Sequence, residues 1–155
     1  MTIEIPGFGT LRLEKLLLDY NGTLARDGKP LPGVIERLER LSTELRITVV
    51  TADTFGTVER EMAGSGVEVH ILRSRDHTHE KQLVLERLGA THTLAIGNGN
   101  NDWLMLKHAV VGITVMGSEG CARAAMEAGD LLCGSITDAL DLLLYPKRLI
   151  ATLRR

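Results

Sequence analysis

The sequence predicts an α/β fold of the Rossmann-like type, in which helices cover both faces of a central parallel sheet in three α/β/α layers. Two observations carry this prediction. Short apolar runs recur along the chain, and segments with helical spacing lie between them. Several runs are rich in Val and Ile, as strands buried in a parallel sheet are. The runs cover residues 16–18, 47–50, 67–72, 93–96 and 111–116.

The intervening segments have the periodicity of amphipathic helices. Val34, Leu38, Leu41 and Leu45 follow one another at intervals that keep them on one helix face. Similar patterns end before a glycine at position 89, follow an aspartate at position 102 and occupy residues 122–128. A last helix is expected to begin at Thr137 or Asp138 and to be interrupted at Pro146.

Two short hairpins complete the predicted organisation. Residues 1–15 alternate around a Pro-Gly-Phe-Gly turn, which predicts an N-terminal β-hairpin. Residues 24–31 contain an Asp-Gly pair, which predicts a small flap hairpin. With 155 residues, the chain has the length of about one domain, so we expect residues 1–155 to form a single unit.

Composition limits the classes of partner. The chain is 44% hydrophobic and 25% charged, as expected of a globular protein, and its net charge of −2 predicts neither a nucleic-acid nor a membrane partner. No apolar run approaches the ~20 residues that span a bilayer, and no basic segment of the signal-peptide type opens the sequence. Cys121 and Cys133 lack metal-ligand spacing and are expected to be reduced thiols, so we expect a cytoplasmic protein.

Polar residues follow three of the predicted strands. Residues 19–23 read Asp-Tyr-Asn-Gly-Thr, residues 51–53 read Thr-Ala-Asp, and residues 97–102 read Gly-Asn-Gly-Asn-Asn-Asp. Lys81 lies near the start of a predicted helix. Because ligands bind at the carboxyl ends of strands in open parallel sheets, we expect these residues to line one crevice.

These four segments, in this order, resemble the motifs of the haloacid dehalogenase superfamily of phosphohydrolases and phosphotransferases. Residues 19–23 match the first motif, Thr51 the second, Lys81 the third and residues 97–102 the fourth. Within the superfamily, the chain is similar to small soluble proteins related to the phosphorylation domain of P-type ATPases. The resemblance extends from Leu16 to about Leu144.

The resemblance implies Mg²⁺-dependent phosphoryl transfer through an aspartyl-phosphate on Asp19. It implies a phosphorylated substrate, and it assigns three overlapping sets of residues. The catalytic set is Asp19, Asn21, Thr51 and Lys81. The phosphate-binding set is Gly22, Thr51, Ala52 and Lys81. The set of Mg²⁺ ligands is Asp19, Asn21, Asn98 and Asp102.

Two residues depart from the superfamily pattern. Asn21 stands where active phosphatases carry an aspartate that acts as general acid and base, and an amide cannot move a proton at neutral pH. Since such a group contributes ~10²–10⁴-fold, slow hydrolysis is expected. Asn98 replaces an acidic metal ligand by a neutral one, so weak Mg²⁺ binding is expected.

The spacing of the motifs leaves no room for a large cap domain. Only 31 residues separate Asp19 from Thr51, and 29 separate Thr51 from Lys81. An uncovered crevice implies a macromolecular substrate or a neighbouring subunit that acts as a lid, and so a homo-oligomer is one hypothesis.

Several alternatives stay open. The chain could be a phosphate-binding regulatory protein without turnover, or a phosphoacceptor that holds a stable aspartyl-phosphate. Asp53 has the pattern of a helix N-cap as well as of a site residue. His77 and His79, with His70 nearby, are interpreted as a solvated loop rather than a metal site, since their spacing does not place them on one helix face.

Overall fold

A computed structural model describes residues 1–53 and 56–155 of the chain. The strands are β1 (Thr2–Ile5), β2 (Gly9–Arg12), β3 (Lys15–Asp19), β4 (Ala25–Arg26), β5 (Lys29–Pro30), β6 (Arg46–Thr51), β7 (Val67–Ile71), β8 (Thr93–Gly97), β9 (Val111–Val115) and β10 (Leu131–Cys133). The helices are α1 (Val34–Ser42), α2 (Val58–Glu61), α3 (His77–Leu88), α4 (Trp103–His108), α5 (Arg123–Ala128), α6 (Ile136–Leu144) and α7 (Pro146–Leu153). Two short 3₁₀ turns cover Ala90–His92 and Asn100–Asp102.

Six strands form one sheet in the order β10-β9-β8-β3-β6-β7, and every neighbouring pair is parallel. The chain first extends the sheet from β3 through β6 to β7, and then returns to build β8, β9 and β10 on the other side of β3. The topological switch point therefore lies beside β3, where the carboxyl ends of neighbouring strands leave a crevice.

Side chains of β3 alternate between two apolar layers, because successive residues of a strand point to opposite faces. Leu16 and Leu18 belong to the larger cluster, which includes buried residues of α1, α6 and α7 and of the β1–β2 hairpin. Leu17 belongs to a smaller cluster with residues of α3, α4 and α5. The predicted three-layer fold class with a central parallel sheet is thus confirmed.

Both short hairpins are antiparallel. β1 pairs with β2 over Thr2–Ile5, and β4 pairs with β5 across a two-residue turn. In that turn Asp27 and Gly28 have φ angles of 52° and 75°, the left-handed conformation that tight hairpin turns require. The Tyr20 hydroxyl, fully buried, donates a hydrogen bond of 3.0 Å to the Gly28 carbonyl and ties this flap to the end of β3.

The C-terminal region differs from the sequence prediction in two details. β10, an edge strand, is absent from the predicted set because three residues are too short for a recognisable pattern. Helix α6 begins one residue before the predicted start, since the Ser135 hydroxyl accepts a hydrogen bond from the Asp138 N–H and caps it. Pro146 then ends this helical run and becomes the first residue of α7.

In the described part of the chain, no helix has the length and apolar character needed to cross a bilayer.

Candidate active site

A buried lysine joins two carboxylates at the carboxyl edge of the sheet. Lys81 lies in α3, Asp19 ends β3, and Asp102 lies in the turn after β8. The Lys81 Nζ is 2.6 Å from Asp19 Oδ1 and 2.6 Å from Asp102 Oδ1. Lys81 is 1% exposed and Asp102 is fully buried. The fold therefore brings together three residues that the sequence predicts for one site.

The electrostatics of this triad follow from one cation shared by two acids. Burial disfavours the ammonium ion, but the charges of Asp19 and Asp102 outweigh this effect and raise the pKa of Lys81 above its usual range. Burial, and then the nearby charge of Asp19, raises the pKa of Asp102 above that of an ordinary aspartate, while Lys81 opposes the shift. Lys81 thus stays cationic, and the site is left with an excess of negative charge.

Asp102 holds the fourth motif together from inside. Its Oδ2 accepts hydrogen bonds from the backbone N–H groups of Asn98, at 3.0 Å, and Gly99, at 2.8 Å. A Cβ on Gly97 would lie 2.6 Å from the Asp102 carboxyl group, so the glycine is needed for this close approach. The sequence assigns Asp102 to the metal. In the structure Oδ1 contacts Lys81 and Oδ2 accepts from two backbone N–H groups, so Asp102 joins Lys81 to this loop, and its role as a metal ligand stays a prediction.

The second motif combines a buried hydroxyl with a carboxylate that binds the start of a helix. Thr51 Oγ1 accepts a hydrogen bond of 3.0 Å from the Asp53 N–H. Asp53 Oδ1 accepts from the N–H groups of Thr57, at 3.0 Å, and Val58, at 3.2 Å, at the start of α2. The N-cap residue of α2 is Thr57 and not Asp53, so the carboxylate of Asp53 binds the start of the helix from outside the cap position. Ala52 is exposed at the mouth of the site.

Gly22 shapes the turn after Asp19. Its φ angle is 83°, and a Cβ there would lie 2.7 Å from Nδ2 and 2.9 Å from Oδ1 of Asn98. Its N–H donates to the Ala25 carbonyl at 2.8 Å. This N–H is thus used inside the turn, and the phosphate contact that the sequence assigns to Gly22 stays a prediction.

The two asparagines of the motifs have different surroundings. Asn98 accepts a hydrogen bond of 3.1 Å from the Thr23 hydroxyl and donates one of 3.1 Å to the Gly120 carbonyl. It therefore joins the loops after β3, β8 and β9, and an aspartate could not make the second bond. Asn21 Oδ1, by contrast, is buried and has no hydrogen-bond partner among the described residues.

These residues line an open cavity of about 290 Å³. The lining contains most of the predicted site and adds three residues that the assigned sets lack, His77, Gly99 and Asn101. Asn101 Oδ1 lies 3.5 Å from Lys81 Nζ. His77 precedes Lys81 by four residues on α3, a spacing that places both on one helix face. The full lining is Asp19, Asn21, Thr51, Ala52, His77, Lys81, Asn98, Gly99 and Asn101.

The donor set suits a hard cation, although its charge is low. The cavity is lined by Asp19, Asn21 and Asn98, whose carboxylate and amide oxygens are the kind of ligand that Mg²⁺ prefers. The partnerless Asn21 Oδ1 fits a cation in particular. Among residues 1–53 and 56–155, no group of three or more His, Cys, Asp and Glu side chains is placed to hold a metal ion, so any site here depends on amides.

Sequence relatives match parts of the chain. No family profile matches the chain. An uncharacterized protein of Methanocaldococcus jannaschii is 52% identical over 61 residues, which are 39% of this chain and 66% of that protein. A second uncharacterized protein of the same organism is 51% identical over 39 residues, 25% of this chain and 89% of that protein. The chain thus spans 66% of the length of the first relative.

Solved structures resemble almost the whole chain. The 3-deoxy-D-manno-octulosonate 8-phosphate phosphatase of Moraxella catarrhalis, in complex with magnesium, phosphate and the sugar acid, has a TM-score of 0.71 at 18% identity, covering 92% of this chain and 94% of that one. A member of the haloalkanoate (HAD) enzyme superfamily from Bacteroides thetaiotaomicron has a TM-score of 0.65 at 11% identity, covering 91% and 96%. This chain has the haloacid dehalogenase fold.

The cobalt-bound octulosonate phosphatase of Haemophilus influenzae has the same fold, with a TM-score of 0.71 at 12% identity over 93% of this chain and 94% of that one. The predicted resemblance is therefore confirmed at the level of the fold. In this chain, the crevice beside β3 is lined by Asp19, Thr51, Lys81 and Asn98.

Proposed function

We propose that this protein is a phosphohydrolase that transfers the phosphoryl group of an ester to Asp19 and then to water. The observation that carries the proposal is the contact of Lys81 Nζ with Asp19 Oδ1 and Asp102 Oδ1, each at 2.6 Å. Desolvation makes a buried lysine between two acids costly, so the arrangement is better explained by chemistry than by stability.

Each residue of the site then has a defined task. Asp19 Oδ1 is held by Lys81, and its second oxygen attacks phosphorus to form an aspartyl-phosphate as the ester oxygen leaves. Lys81 offsets the negative charge that Asp19 and the phosphoryl group share. The Thr51 hydroxyl and the backbone N–H of Ala52 hold phosphoryl oxygens at the mouth of the cavity. Water finally attacks phosphorus and releases phosphate.

Asp19, Asn21 and Asn98 are the residues that would hold Mg²⁺. When bound, Mg²⁺ would neutralise phosphoryl oxygens and hold them in line with the nucleophile. Asp102 stays behind Lys81 in this proposal and fixes the Asn98–Gly99 backbone. Because two of the three ligands are neutral, we expect weak Mg²⁺ binding.

The test is hydrolysis of p-nitrophenyl phosphate with and without Mg²⁺, by wild type and by Asp19→Asn. Asp27→Asn, at an exposed position of the flap, is the matched control. We expect Mg²⁺-dependent turnover that disappears in Asp19→Asn and persists in Asp27→Asn. Equal rates in all three proteins would contradict the proposal.

A second candidate function is a phosphoacceptor that keeps its aspartyl-phosphate. It is favoured by Asn21, which occupies the position of the usual acid and base and cannot move a proton. Acetyl phosphate would then add the mass of one phosphoryl group to wild type and not to Asp19→Asn. A long-lived adduct supports the acceptor, whereas rapid loss of the adduct supports the hydrolase.

The open cavity and the second and fourth motifs bear on the relatives and the partners that we propose for this protein. The similarity to the phosphorylation domain of P-type ATPases rests on residues 51–53 and 97–102. We propose a phosphorylated macromolecule as substrate, or a second subunit as a lid, because the flap is the only insertion between β3 and α1 and leaves the cavity open. Sedimentation at working concentration separates the two, since a monomer would contradict the lid. We also propose that the protein is located in the cytoplasm.

A further inference from the structure

His77 lies at the mouth of the cavity that contains Asp19. It is the first residue of α3, one helical turn before Lys81 and on the same helix face. Its side chain is half-buried. His79, two residues on, is different: its side chain is 69% exposed, and its Nδ1 lies 2.6 Å from the Asp76 carboxylate at the helix cap. Only the first of these two histidines faces the site.

The cavity needs a proton donor that its other members do not provide. Three titratable side chains occur among its described lining residues: Asp19, Lys81 and His77. Asp19 is the nucleophile, and Lys81 is fixed as a cation between two carboxylates. Asn21 carries an amide where an acid is expected. Imidazole is the side-chain group that changes charge near neutral pH.

Charged groups on several elements lie around the cavity that His77 lines. Asp19 faces the cavity from β3, and Asp76, the N-cap residue of α3, directly precedes His77 and contacts His79. Asp102 lies behind Lys81 from the turn after β8. Lys81 is the one opposing charge in the lining, and its ammonium group is already paired with both carboxylates.

We infer that His77 is the general acid and base of this site and replaces the missing carboxylate at position 21. This inference rests on the proposed phosphohydrolase function. It also identifies a substrate class: esters of ordinary alcohols, whose oxygen leaves poorly unless it is protonated.

The proton balance is simple. In the first step the bond from Asp19 to phosphorus forms, the bond from phosphorus to the ester oxygen breaks, and imidazolium of His77 gives its proton to that oxygen. In the second step neutral His77 takes a proton from the attacking water. The bond from Asp19 to phosphorus then breaks, and phosphate and the original imidazolium are restored.

The experiment compares two substrates, β-glycerophosphate and p-nitrophenyl phosphate, because nitrophenolate leaves without protonation. For His77→Gln we expect kcat/KM to fall by about 10²–10⁴-fold on the alkyl ester and far less on the aryl ester. His79→Gln is the matched control and should change neither. Imidazole added to His77→Ala should restore alkyl-ester hydrolysis, which a purely structural role would not allow.

The outcomes separate this inference from the proposed function. If Asp19-dependent hydrolysis is present but His77→Gln lowers both substrates equally, or neither, His77 is not the acid and the phosphohydrolase still stands. Wild type that hydrolyses only the aryl ester also overturns the inference. If no substrate shows Asp19-dependent turnover, the proposed function fails, and this inference fails with it.

Discussion

Two clusters of charged side chains lie on opposite faces of the sheet, and their environments differ. On the α3 side, Lys81 contacts Asp19 and Asp102 at 2.6 Å with 1% of its side chain exposed. On the α6 side, Arg37 of α1 binds Asp141 of α6 through two contacts of 2.7 and 3.2 Å, with 25% and 17% of the two side chains exposed.

The two clusters differ in how well their charges are matched. The Arg37–Asp141 pair keeps part of its hydration and joins two helices in bidentate geometry, and a second cation, Arg148, lies 3.8 Å from the same carboxylate. The triad of Lys81 loses its hydration and carries two anions for one cation, an arrangement that a stability argument disfavours. Unmatched negative charge of this kind is expected at a site that binds a cation together with phosphate.

Removal of the shared cation should have the largest effect. Lys81→Met leaves two carboxylates in a buried site without a cation, so we expect a loss of about 3–5 kcal/mol in the free energy of unfolding, measured with urea. Lys147→Met, at an exposed lysine of α7, should be neutral. Adding Asp19→Asn to Lys81→Met should recover part of the loss, and purely additive changes would contradict a coupled triad.

Loss of Asp102 should destabilise the protein more than loss of Asp19. Asp102→Asn deprives either Lys81 or two backbone N–H groups of an acceptor, so we expect about 1–3 kcal/mol of destabilisation. Asp19→Asn removes like charge and breaks only one bond, so its loss should be smaller. Thermal unfolding of both variants checks the order, and equal melting temperatures would count against the distinct role assigned to Asp102.

A negative charge introduced at position 98 should strengthen cation binding. Asn98→Asp adds an anionic ligand, so Mg²⁺ affinity should rise by roughly tenfold. Without Mg²⁺ the variant should be less stable, because the new carboxylate faces the Gly120 carbonyl. The Mg²⁺ titration is measured by the fluorescence of Trp103, the residue directly after the Asn100–Asp102 turn.

Asn100→Asp, at an exposed position of the same loop, is the matched control for this titration. It adds the same charge to the loop outside the cavity. A similar gain in Mg²⁺ affinity for both variants would show that Asn98 acts through long-range charge and is not a ligand.

Loss of the partly exposed Arg37–Asp141 pair should give the smallest effect. Asp141→Asn is expected to cost about 1 kcal/mol at neutral pH. The hydrogen bond from Arg37 holds the pKa of Asp141 below its usual range, so this stability is present above the ordinary aspartate pKa and is lost as pH falls through the lowered value. Urea unfolding at neutral and acid pH measures it, with Asp27→Asn as control. A difference that persists in strong acid would mean that lost packing causes the effect.

The sequence by itself predicts the architecture and the place of the site. Apolar periodicity is a local property, so the core strands, the helix faces and the polar residues at strand ends can be read directly from it. Thr51 is found in this way, whereas Lys81 is singled out by its place among the haloacid dehalogenase motifs, and both line the cavity with Asp19. The interruption at Pro146 and the turn at Asp27–Gly28 follow from backbone chemistry in the same local sense.

Only the tertiary structure decides what each polar group binds. Asp102 and Lys81 are 21 residues apart, and no local pattern shows that the carboxylate would use both oxygens inside the protein. The N–H of Gly22 is occupied for a similar reason. The i, i+4 spacing of His77 and Lys81 is visible in the sequence. Which face of α3 meets the cavity depends on packing against the sheet, because burial and hydrogen-bond partners are set by residues distant in the chain.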